Sequence, residues 1–410
     1  MPFKSDMEAA IPAAEDRSET TGLMEPLLLG EECRARRGLA DLSLELAQKS
    51  AGFQRSLPPS ILTSLASLVR SMNCYYSNLI EGHDTHPIDI EGALRNDYSA
   101  DAKKRNLQLE AKAHIAVQRW IDEGGLAANP VTVDAIREIH RRFYDEMPDD
   151  LRWVENPATG ERLAIVPGQL RHRDVQVGRH VGISPGAVPH FLERYEAVFS
   201  RLGKSETVLA AAGAHHRLAW IHPFMDGNGR VGRLVSHTML LRTLDTGAVW
   251  SVARGLARNV QAYKTHLANC DLRRRNDLDG RGTLSEEALV EFTDFFLRTC
   301  LDQVSFMEGL MQPDRLRARI QLWAEEEIRL GGLSPKSGVI LDAMLYRGEL
   351  PRGDVANLLG VGERQARRGI ALLAAKGVIT SDSSRAPIRL AFPASLAARW
   401  MPGLFPEKID

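Results

Sequence analysis

Apolar residues recur at three- and four-residue spacing through much of the first third of the chain, and this spacing is typical of helices that bury one face. It predicts three helices, over residues 39–48, 59–82 and 104–125. Pro58 precedes the second helix and Gly124 lies at the end of the third, as expected of residues that delimit helices. A helical N-terminal region follows from this pattern.

Helical spacing returns in the centre of the chain. It covers residues 131–147, 189–202, 205–221, 231–247 and 285–311, with Thr132 and Ser285 as the expected N-caps of the first and last segments. Between residues 151 and 185 the spacing stops, and short β-prone pieces alternate with glycines. We expect a hairpin or irregular flap there, on an otherwise helical core, so the predicted fold class is mainly α.

A linker and a small C-terminal domain are predicted after the last central helix. Residues 329–338 are rich in Gly, Pro and Ser, with Ser334 as the expected N-cap of the next helix. Three helical segments and a short β-wing follow, in the order of a winged helix-turn-helix domain over residues 334–410. Positive charge concentrates there at Arg352, Arg364, Arg367 and Arg368. Because this cluster is small, DNA binding and protein contacts stay equally open.

A chain of 410 residues is longer than one hydrophobic core usually serves, so several domains are expected. We predict a disordered tail over 1–22, the helical N-terminal region over 23–128, a central core over 129–328 and the winged helix over 334–410. The N-terminus carries acidic residues early and has no basic-then-apolar run, which does not fit a secretory signal.

Charge and cysteine usage narrow the class of protein. Lys and Arg number 52 against 53 Asp and Glu, so no overall field steers the molecule toward nucleic acid or membrane. No apolar stretch approaches the roughly 18 residues of a membrane helix. The four cysteines lack the close pairs of a zinc site and the density of a disulfide scaffold. We therefore expect a soluble, cytoplasmic protein with no membrane partner.

One segment, from His222 to Arg233, concentrates residues suited to phosphoryl chemistry. Gly227, Asn228 and Gly229 can turn sharply and point backbone N–H groups into a concavity. A helix beginning just after them adds its positive N-terminal end. The segment is therefore predicted to hold anionic phosphates.

The same segment offers a base, a metal ligand and two cations. His222 has an ordinary pKa near neutrality and can take the proton from an attacking hydroxyl. Asp226 is a hard oxygen ligand suited to Mg²⁺ shared with substrate phosphates. Arg230 and Arg233 are three residues apart, on one helical face, and each can fork onto phosphate oxygens. The reaction class is in-line transfer to a nucleophile.

Other interpretations of these residues fit less well. A calcium loop counted from Asp226 lacks the glycine at its sixth position and the glutamate at its twelfth. No GxxxxGK[ST] motif occurs, which disfavours an ordinary P-loop ATPase. His140, His215 and His216 lie among apolar neighbours on predicted helices, and we assign them packing roles.

The segment from His222 to Arg233 resembles the Fic-family signature HPFxDGNGRxxR at every fixed position. The resemblance implies a protein adenylyltransferase, which moves AMP from ATP to a Ser, Thr or Tyr hydroxyl of a target protein. It implies that His222 is the catalytic base, that Asp226 holds Mg²⁺ or Mn²⁺ between phosphates, and that the glycine turn and both arginines bind the nucleotide. Phe224 is a core anchor on the same resemblance.

The segment PGQLRHRDVQVGRHVGISP resembles the Fic-family hairpin that lies over the active site. The edge of that hairpin pairs with an extended segment of the target by backbone hydrogen bonds. Its expected β-prone residues here are Val175, Val177 and Val181. The alternative is a plain surface hairpin.

Upstream, Ser77 to Gly82 resembles the [ST]xxxE[GN] inhibitory helix of autoinhibited Fic proteins. The resemblance implies that Glu81 pairs with Arg233 in the resting enzyme and occupies the arginine needed for the terminal phosphate. Without the core motif, a Ser four residues before a Glu would indicate only a solvated helix face.

Three alternatives stay open. The Fic core could serve as a sensor in a DNA-binding transcription regulator that acts through residues 334–410, or the enzyme could transfer another phosphate-linked group or remove AMP again. Self-modification and a homodimer are further partner options that the sequence leaves open.

Overall fold

The computed structural model of the chain describes residues 14–155, 160–178 and 180–406. It is mainly helical with a few short strands, as predicted. The helices are α1 Arg36–Arg55, α2 Pro59–Ile80, α3 Pro87–Leu94, α4 Ala102–Asp122, α5 Val133–Asp145, α6 Val188–Phe199, α7 Lys204–Ile221, α8 Asn228–Leu244, α9 Val252–Arg258, α10 Val260–Asn269, α11 Glu286–Leu310, α12 Pro313–Arg329, α13 Ser337–Arg347, α14 Asp354–Leu359, α15 Glu363–Ala375 and α16 Ala397–Trp400.

Short antiparallel strands accompany these helices. They are β1 Trp153–Glu155, β2 Arg162–Ala164, β3 Gln176–Val177, β4 His180–Val181, β5 Glu349–Leu350, β6 Ile379–Thr380 and β7 Ile388–Leu390. β1 pairs with β2, β3 pairs with β4, and the last three form a sheet in the order β5-β7-β6. The hairpin predicted between residues 151 and 185 is thus present as two short strand pairs.

Two of the three predicted N-caps are confirmed. The Oγ1 of Thr132 accepts a 3.3 Å hydrogen bond from the Ala135 N–H, and the Oγ of Ser285 accepts one of 3.1 Å from Ala288. The third prediction, Ser334, is wrong. Lys336 is the N-cap of α13 and has a left-handed φ of 69°, so the chain first turns between Ser334 and Ser337 and becomes helical only afterwards.

Contacts between residues divide the chain into two compact units, each built from separate stretches of sequence. The first comprises Met1–Gly38, Leu126–Met239 and Lys264–Asp294, and the second comprises Leu39–Gly125, Leu240–Tyr263 and Phe295–Asp410. The domain boundaries drawn from the sequence stay predictions.

The first unit is built around α7, which is buried on all sides from Val208 to Leu218, as its run of alanines predicts. It packs against α6. Arg217 lies inside this core, fully buried, and its Nη2 donates a 2.6 Å hydrogen bond to the Pro26 carbonyl. A buried guanidinium needs such acceptors, so this contact fixes the N-terminal stretch to the core.

The second unit centres on α2, which packs against α4 and α9. Asn73 on α2 connects both neighbours, because its amide donates to Gln118 on α4 at 2.6 Å and its oxygen accepts from the Ser251 hydroxyl at the start of α9. The same unit holds α13, α14 and α15 with the β5-β7-β6 sheet. The assignment of this segment as a winged helix stays a prediction.

Among the described residues, no helix has both the length and the apolar surface that crossing a membrane requires.

Candidate active site

The segment from His222 to Arg233 joins two helices of the central bundle. His222 follows α7 as its C-cap, with a left-handed backbone (φ 50°, ψ 63°), and its N–H donates a 3.1 Å hydrogen bond to the Leu218 carbonyl. Left-handed backbone is uncommon for a residue with a side chain and persists where the surroundings hold it. It ends α7 and turns the chain into the loop that leads to α8.

Asn228 closes this loop. Its Oδ1 accepts a 2.9 Å hydrogen bond from the Phe224 N–H, and its Nδ2 donates one of 2.8 Å to the Phe224 carbonyl. Phe224 is fully buried, and its ring stacks on His140 with centroids 3.8 Å apart. The core-anchor role expected for Phe224 fits this packing. The Asn228 side chain is committed to the loop, so a contact with nucleotide would have to come from its backbone N–H.

Tyr144 on α5 shapes the turn at Gly227. Gly227 has a φ of 80°, and a Cβ there would lie 3.1 Å from the Tyr144 ring and hydroxyl. Only glycine combines this backbone with so close an approach. The Tyr144 hydroxyl also donates a 2.7 Å hydrogen bond to Oδ2 of Asp226.

The electrostatics around Asp226 favour an ionised carboxylate. Burial by itself would raise the pKa of Asp226, but the charge of Arg230 and hydrogen bonds from Tyr144 and the Gly227 N–H outweigh it and lower the pKa. Nη1 of Arg230 lies 3.6 Å from Oδ2, and the Asp226 side chain keeps 46% of its surface exposed. The carboxylate is therefore charged and accessible.

His222 is held in its neutral form. Burial lowers the pKa of His222 to about 4, and the charge of Arg171 adds to this effect, while a hydrogen bond to the Ala219 carbonyl and the charge of Asp226 oppose it. A neutral imidazole carries its proton on one ring nitrogen and keeps a lone pair on the other. The neutral ring of His222 can therefore act as a base.

The two arginines of the motif lie in α8 and are both buried, Arg230 at 7% and Arg233 at 4% exposure. The Arg230 guanidinium lies 5.2 Å from the centre of the Phe143 ring, and the charge of Arg233 reaches His215. Two buried cations near the positive end of α8, which begins at Asn228, make this place electropositive. Such a field attracts an anionic ligand.

A resident metal cage is absent from the part of the chain that the structure describes, because no three His, Cys, Asp or Glu side chains converge on one point there. Mg²⁺ does not need such a cage, since it takes one or two carboxylates together with substrate phosphates and water. The ionised, half-exposed Asp226 fits that donor set.

The predicted target-docking residues lie at the β3–β4 hairpin. Val177 is 49% and Val181 is 66% exposed, while Val175 is half-buried and its carbonyl accepts a 3.0 Å hydrogen bond from the Gly182 N–H. Arg179 lies outside the described residues. Docking of a target on this edge stays a prediction.

The residues of the predicted inhibitory motif lie at the end of α2. Ser77 is buried in the last turn, Glu81 is the C-cap, and Gly82 has a φ of 86°. They belong to the second compact unit, whereas Arg233 belongs to the first. The pairing of Glu81 with Arg233 stays a prediction.

The histidines that we assigned to packing are buried in helices. Burial lowers the pKa of His140 to about 4, of His215 to about 3 and of His216 to about 4. His140 accepts a 2.9 Å hydrogen bond from the Gly168 N–H, and His216 contacts Asp271 at 2.9 Å.

Sequence reasoning missed the residues that support the site from a distance. Tyr144 and Arg171 are the main ones, and no spacing in the sequence signals either.

The contacts of the N-terminal chain were also not predicted from the sequence. Arg17 forms a bidentate ion pair with Asp174 at 3.0 Å, and Glu19 accepts a hydrogen bond from the Ser184 N–H, so these two residues contact the chain on either side of the β3–β4 hairpin. The tail predicted over 1–22 lies outside the described residues as far as residue 13.

Comparisons with known proteins agree with this geometry. The sequence model of the Fic/DOC family matches residues 130–240. The protein adenylyltransferase Fic of Drosophila erecta is 28% identical over 218 residues, which cover 50% of this chain and 41% of that protein. The protein of the same name from Drosophila persimilis is 29% identical over 170 residues, covering 41% of this chain and 30% of that protein. This chain thus spans less than half the length of these curated relatives.

A solved structure shares the fold. The crystal structure of a Fic family protein from Desulfovibrio desulfuricans superposes with a TM-score of 0.52 at 15% identity, over 89% of this chain and 98% of that one. The motif, its placement between two helices and the matched region agree. Residues 130–240 of this chain therefore match the Fic/DOC family.

Proposed function

We propose that this chain is a protein adenylyltransferase that moves AMP from ATP to a Ser, Thr or Tyr hydroxyl of a target protein. The observation that carries the proposal is the joint placement of a neutral His222 and an ionised Asp226 at the positive start of α8. A base and an anionic metal ligand are thereby brought to one phosphate-binding turn.

His222 would supply the general base. The unprotonated nitrogen of its neutral ring takes the proton of the target hydroxyl as the hydroxyl oxygen bonds to the α-phosphorus of ATP. The bond from that phosphorus to the bridging oxygen breaks, and the electron pair leaves with pyrophosphate. A base with a pKa of about 4 is weak at pH 7. The negative charge of bound ATP would raise this pKa and strengthen the base.

The remaining motif residues would bind and orient the nucleotide. The backbone N–H groups at Gly227, Asn228 and Gly229, together with Arg230 and Arg233, would hold the phosphates in line with the target hydroxyl. Asp226 would hold Mg²⁺ or Mn²⁺, and the bound metal would neutralise charge between phosphate oxygens. Positioning of this kind supplies most of the catalysis in phosphoryl transfer.

We further propose that Glu81 restrains this activity. In the [ST]xxxE[GN] pattern the carboxylate that follows the helix would pair with Arg233, which removes a cation from the phosphate site. Glu81 lies directly after α2, and the left-handed Gly82 behind it lets the chain turn away. Ser77 would hold the end of this helix from its buried position.

The proposal is tested by following two labels of ATP in parallel. The chain is incubated with a lysate and ATP labelled at either the α- or the γ-phosphate, and labelled proteins are identified by mass. Transfer of AMP places the α-label on protein and releases the γ-label in pyrophosphate. A γ-label on protein would contradict the proposal and indicate phosphorylation. The same two assays are run with the Glu81→Gly variant, and if neither label appears on protein, the chain does not transfer a phosphate-linked group from ATP.

A second function, DNA binding through residues 334–410, has a specific observation in its favour. Arg364, Arg367 and Arg368 are all exposed on α15, the third helix of the predicted winged helix. Cations along one exposed helix suit contacts with the phosphates of a duplex. Arg367 also pairs with Glu363 at 2.8 Å, which reduces its charge toward DNA.

A further inference from the structure

Arg171 lies between β2 and β3, and only 2% of it is exposed. Its guanidinium uses all three nitrogens as donors. Nε donates to the His222 carbonyl at 2.8 Å, Nη1 to the Arg173 carbonyl at 3.1 Å, and Nη2 to the Ile183 carbonyl at 2.6 Å. Nη2 also lies 3.5 Å from the Ile221 carbonyl. One side chain thus binds backbone on both sides of the hairpin and at the catalytic residue.

The backbone of Arg171 adds a further contact to the same loop, since its N–H donates a 2.8 Å hydrogen bond to the Pro223 carbonyl. A Cβ on Gly182 would lie 3.1 Å from Nη2, so the chain after β4 passes tightly over the guanidinium. The hairpin that the target is expected to use and the left-handed backbone of His222 therefore share one buried support.

The hydrogen bonds of the Arg171 side chain all go to backbone carbonyls. Among the described residues no carboxylate lies within ion-pair distance of Arg171, and its partners are carbonyl oxygens. Burial lowers the pKa of Arg171 to about 10, which leaves it charged at neutral pH. A buried guanidinium is costly when its N–H groups lack acceptors. The carbonyls that accept from Arg171 are therefore held in place by these hydrogen bonds.

Resting on the function proposed above, we propose that Arg171 is a positioning residue of the transfer reaction. It fixes the His222 backbone relative to the β3–β4 hairpin. The base is thereby held in a fixed position relative to the hydroxyl of a target bound on the hairpin. Lysine cannot take this role, because a single ammonium group cannot present the planar fork that reaches three separate carbonyls.

The test uses the full chain and measures amide hydrogen exchange by mass spectrometry in the wild type, Arg171→Ala and Arg171→Lys. We expect peptides that cover residues 174–184 to exchange at least about 10-fold faster in both variants, because their anchor is gone. Millimolar guanidinium should restore slow exchange in Arg171→Ala, whereas ammonium at equal ionic strength should not. Unchanged exchange in both variants, or a Lys variant equal to wild type, would overturn the proposal.

Arg137→Ala is the matched control. Arg137 donates through Nε to one carbonyl, that of Gly168, at 2.9 Å, and it does not reach the motif. We expect slow exchange over 174–184 in this variant. Exchange as fast as in Arg171→Ala would show that any arginine lost from this region loosens the hairpin, which contradicts a specific role for Arg171.

Transfer is measured separately, in a Glu81→Gly background. We expect Arg171→Ala to lower kcat roughly 100-fold, the scale expected of a small misplacement of reacting groups, with KM for ATP within about 2-fold. If Arg171→Ala exchanges faster but has the same kcat as its Glu81→Gly parent, the positioning role of Arg171 is contradicted. If the Glu81→Gly parent itself transfers nothing, the proposed function fails, and the exchange measurements still decide whether Arg171 anchors the hairpin.

Discussion

The hydroxyl of Tyr144 donates a 2.7 Å hydrogen bond to Oδ2 of Asp226, across 82 positions of sequence. Tyr144 is 1% exposed, and its ring lies against His140 and Phe143. The Tyr144 ring therefore has little freedom to move, and its hydrogen bond fixes the orientation of the Asp226 carboxylate. A carboxylate held by a buried donor keeps a fixed orientation, which would favour the metal-binding role proposed for Asp226.

Replacing Tyr144 by Phe should weaken Mg²⁺–ATP binding. The loss of one hydrogen bond to a charged group corresponds to about 1.5–3 kcal/mol, or roughly 10- to 150-fold in Kd. The measurement is calorimetric titration with Mg²⁺ and a non-hydrolysable ATP analogue. Tyr195→Phe is the control, because the Tyr195 hydroxyl is buried without a hydrogen-bond partner among the described residues. If both variants bind like wild type, Tyr144 does not orient Asp226.

Stability should fall in mild acid. Burial lowers the pKa of His215 to about 3 from 6.5, so below pH 6.5 the unfolded chain binds a proton that the folded protein does not bind. The free energy of unfolding then drops as pH falls, by about 1.4 kcal/mol per pH unit for each such histidine. Urea unfolding at about pH 7.5 and about pH 5.5 measures this. His215→Gln should show a smaller difference between the two, and an identical difference would contradict the buried neutral state.

A DNA-binding role predicts duplex affinity that depends steeply on salt. Between about 50 mM and about 200 mM salt the affinity should fall by orders of magnitude, because phosphate contacts release counterions. Arg364→Ala and Arg368→Ala together should reduce both the affinity and the salt slope, whereas Arg399→Ala on α16, whose side chain pairs with Glu326, should not. Absence of binding at low salt leaves a protein-contact role for residues 334–410.

The sequence was informative where the signal is local. The caps Thr132 and Ser285 lie within three residues of the N–H groups they bind, and the chemistry of His222, Asp226 and Gly227 lies in one continuous loop. Periodicity failed for α9, because residues from Val252 to Ala257 are all buried and leave no polar face to read. It also missed α3, which has only eight residues.

Contacts made to the candidate site by residues far away in the sequence could not be predicted. Arg171 reaches the His222 carbonyl across 51 positions, and neither its neighbours nor its spacing marks it among the other arginines of the chain. The pattern that placed Ser334 at a helix start could not show that Lys336 adopts a left-handed backbone two residues later. The contact of Arg171 depends on the tertiary structure, which local spacing in the sequence does not show.

AMP transfer by His222 and its restraint by Glu81 can be tested with two variants. Glu81→Gly should raise activity roughly 5- to 150-fold if the restraint is about 1–3 kcal/mol, a common range for coupling between sites. The double variant Glu81→Gly/His222→Ala should lose transfer while it still binds ATP, because the base is gone and the phosphate site remains.

The most direct measurement is incorporation of α-labelled AMP into protein, with wild type, Glu81→Gly and Glu81→Gly/His222→Ala assayed side by side. We expect weak labelling by the wild type, strong labelling by Glu81→Gly and none by the double variant. Equal labelling by the wild type and Glu81→Gly would contradict the restraint. Undiminished labelling by the double variant would contradict the assignment of His222 as the base.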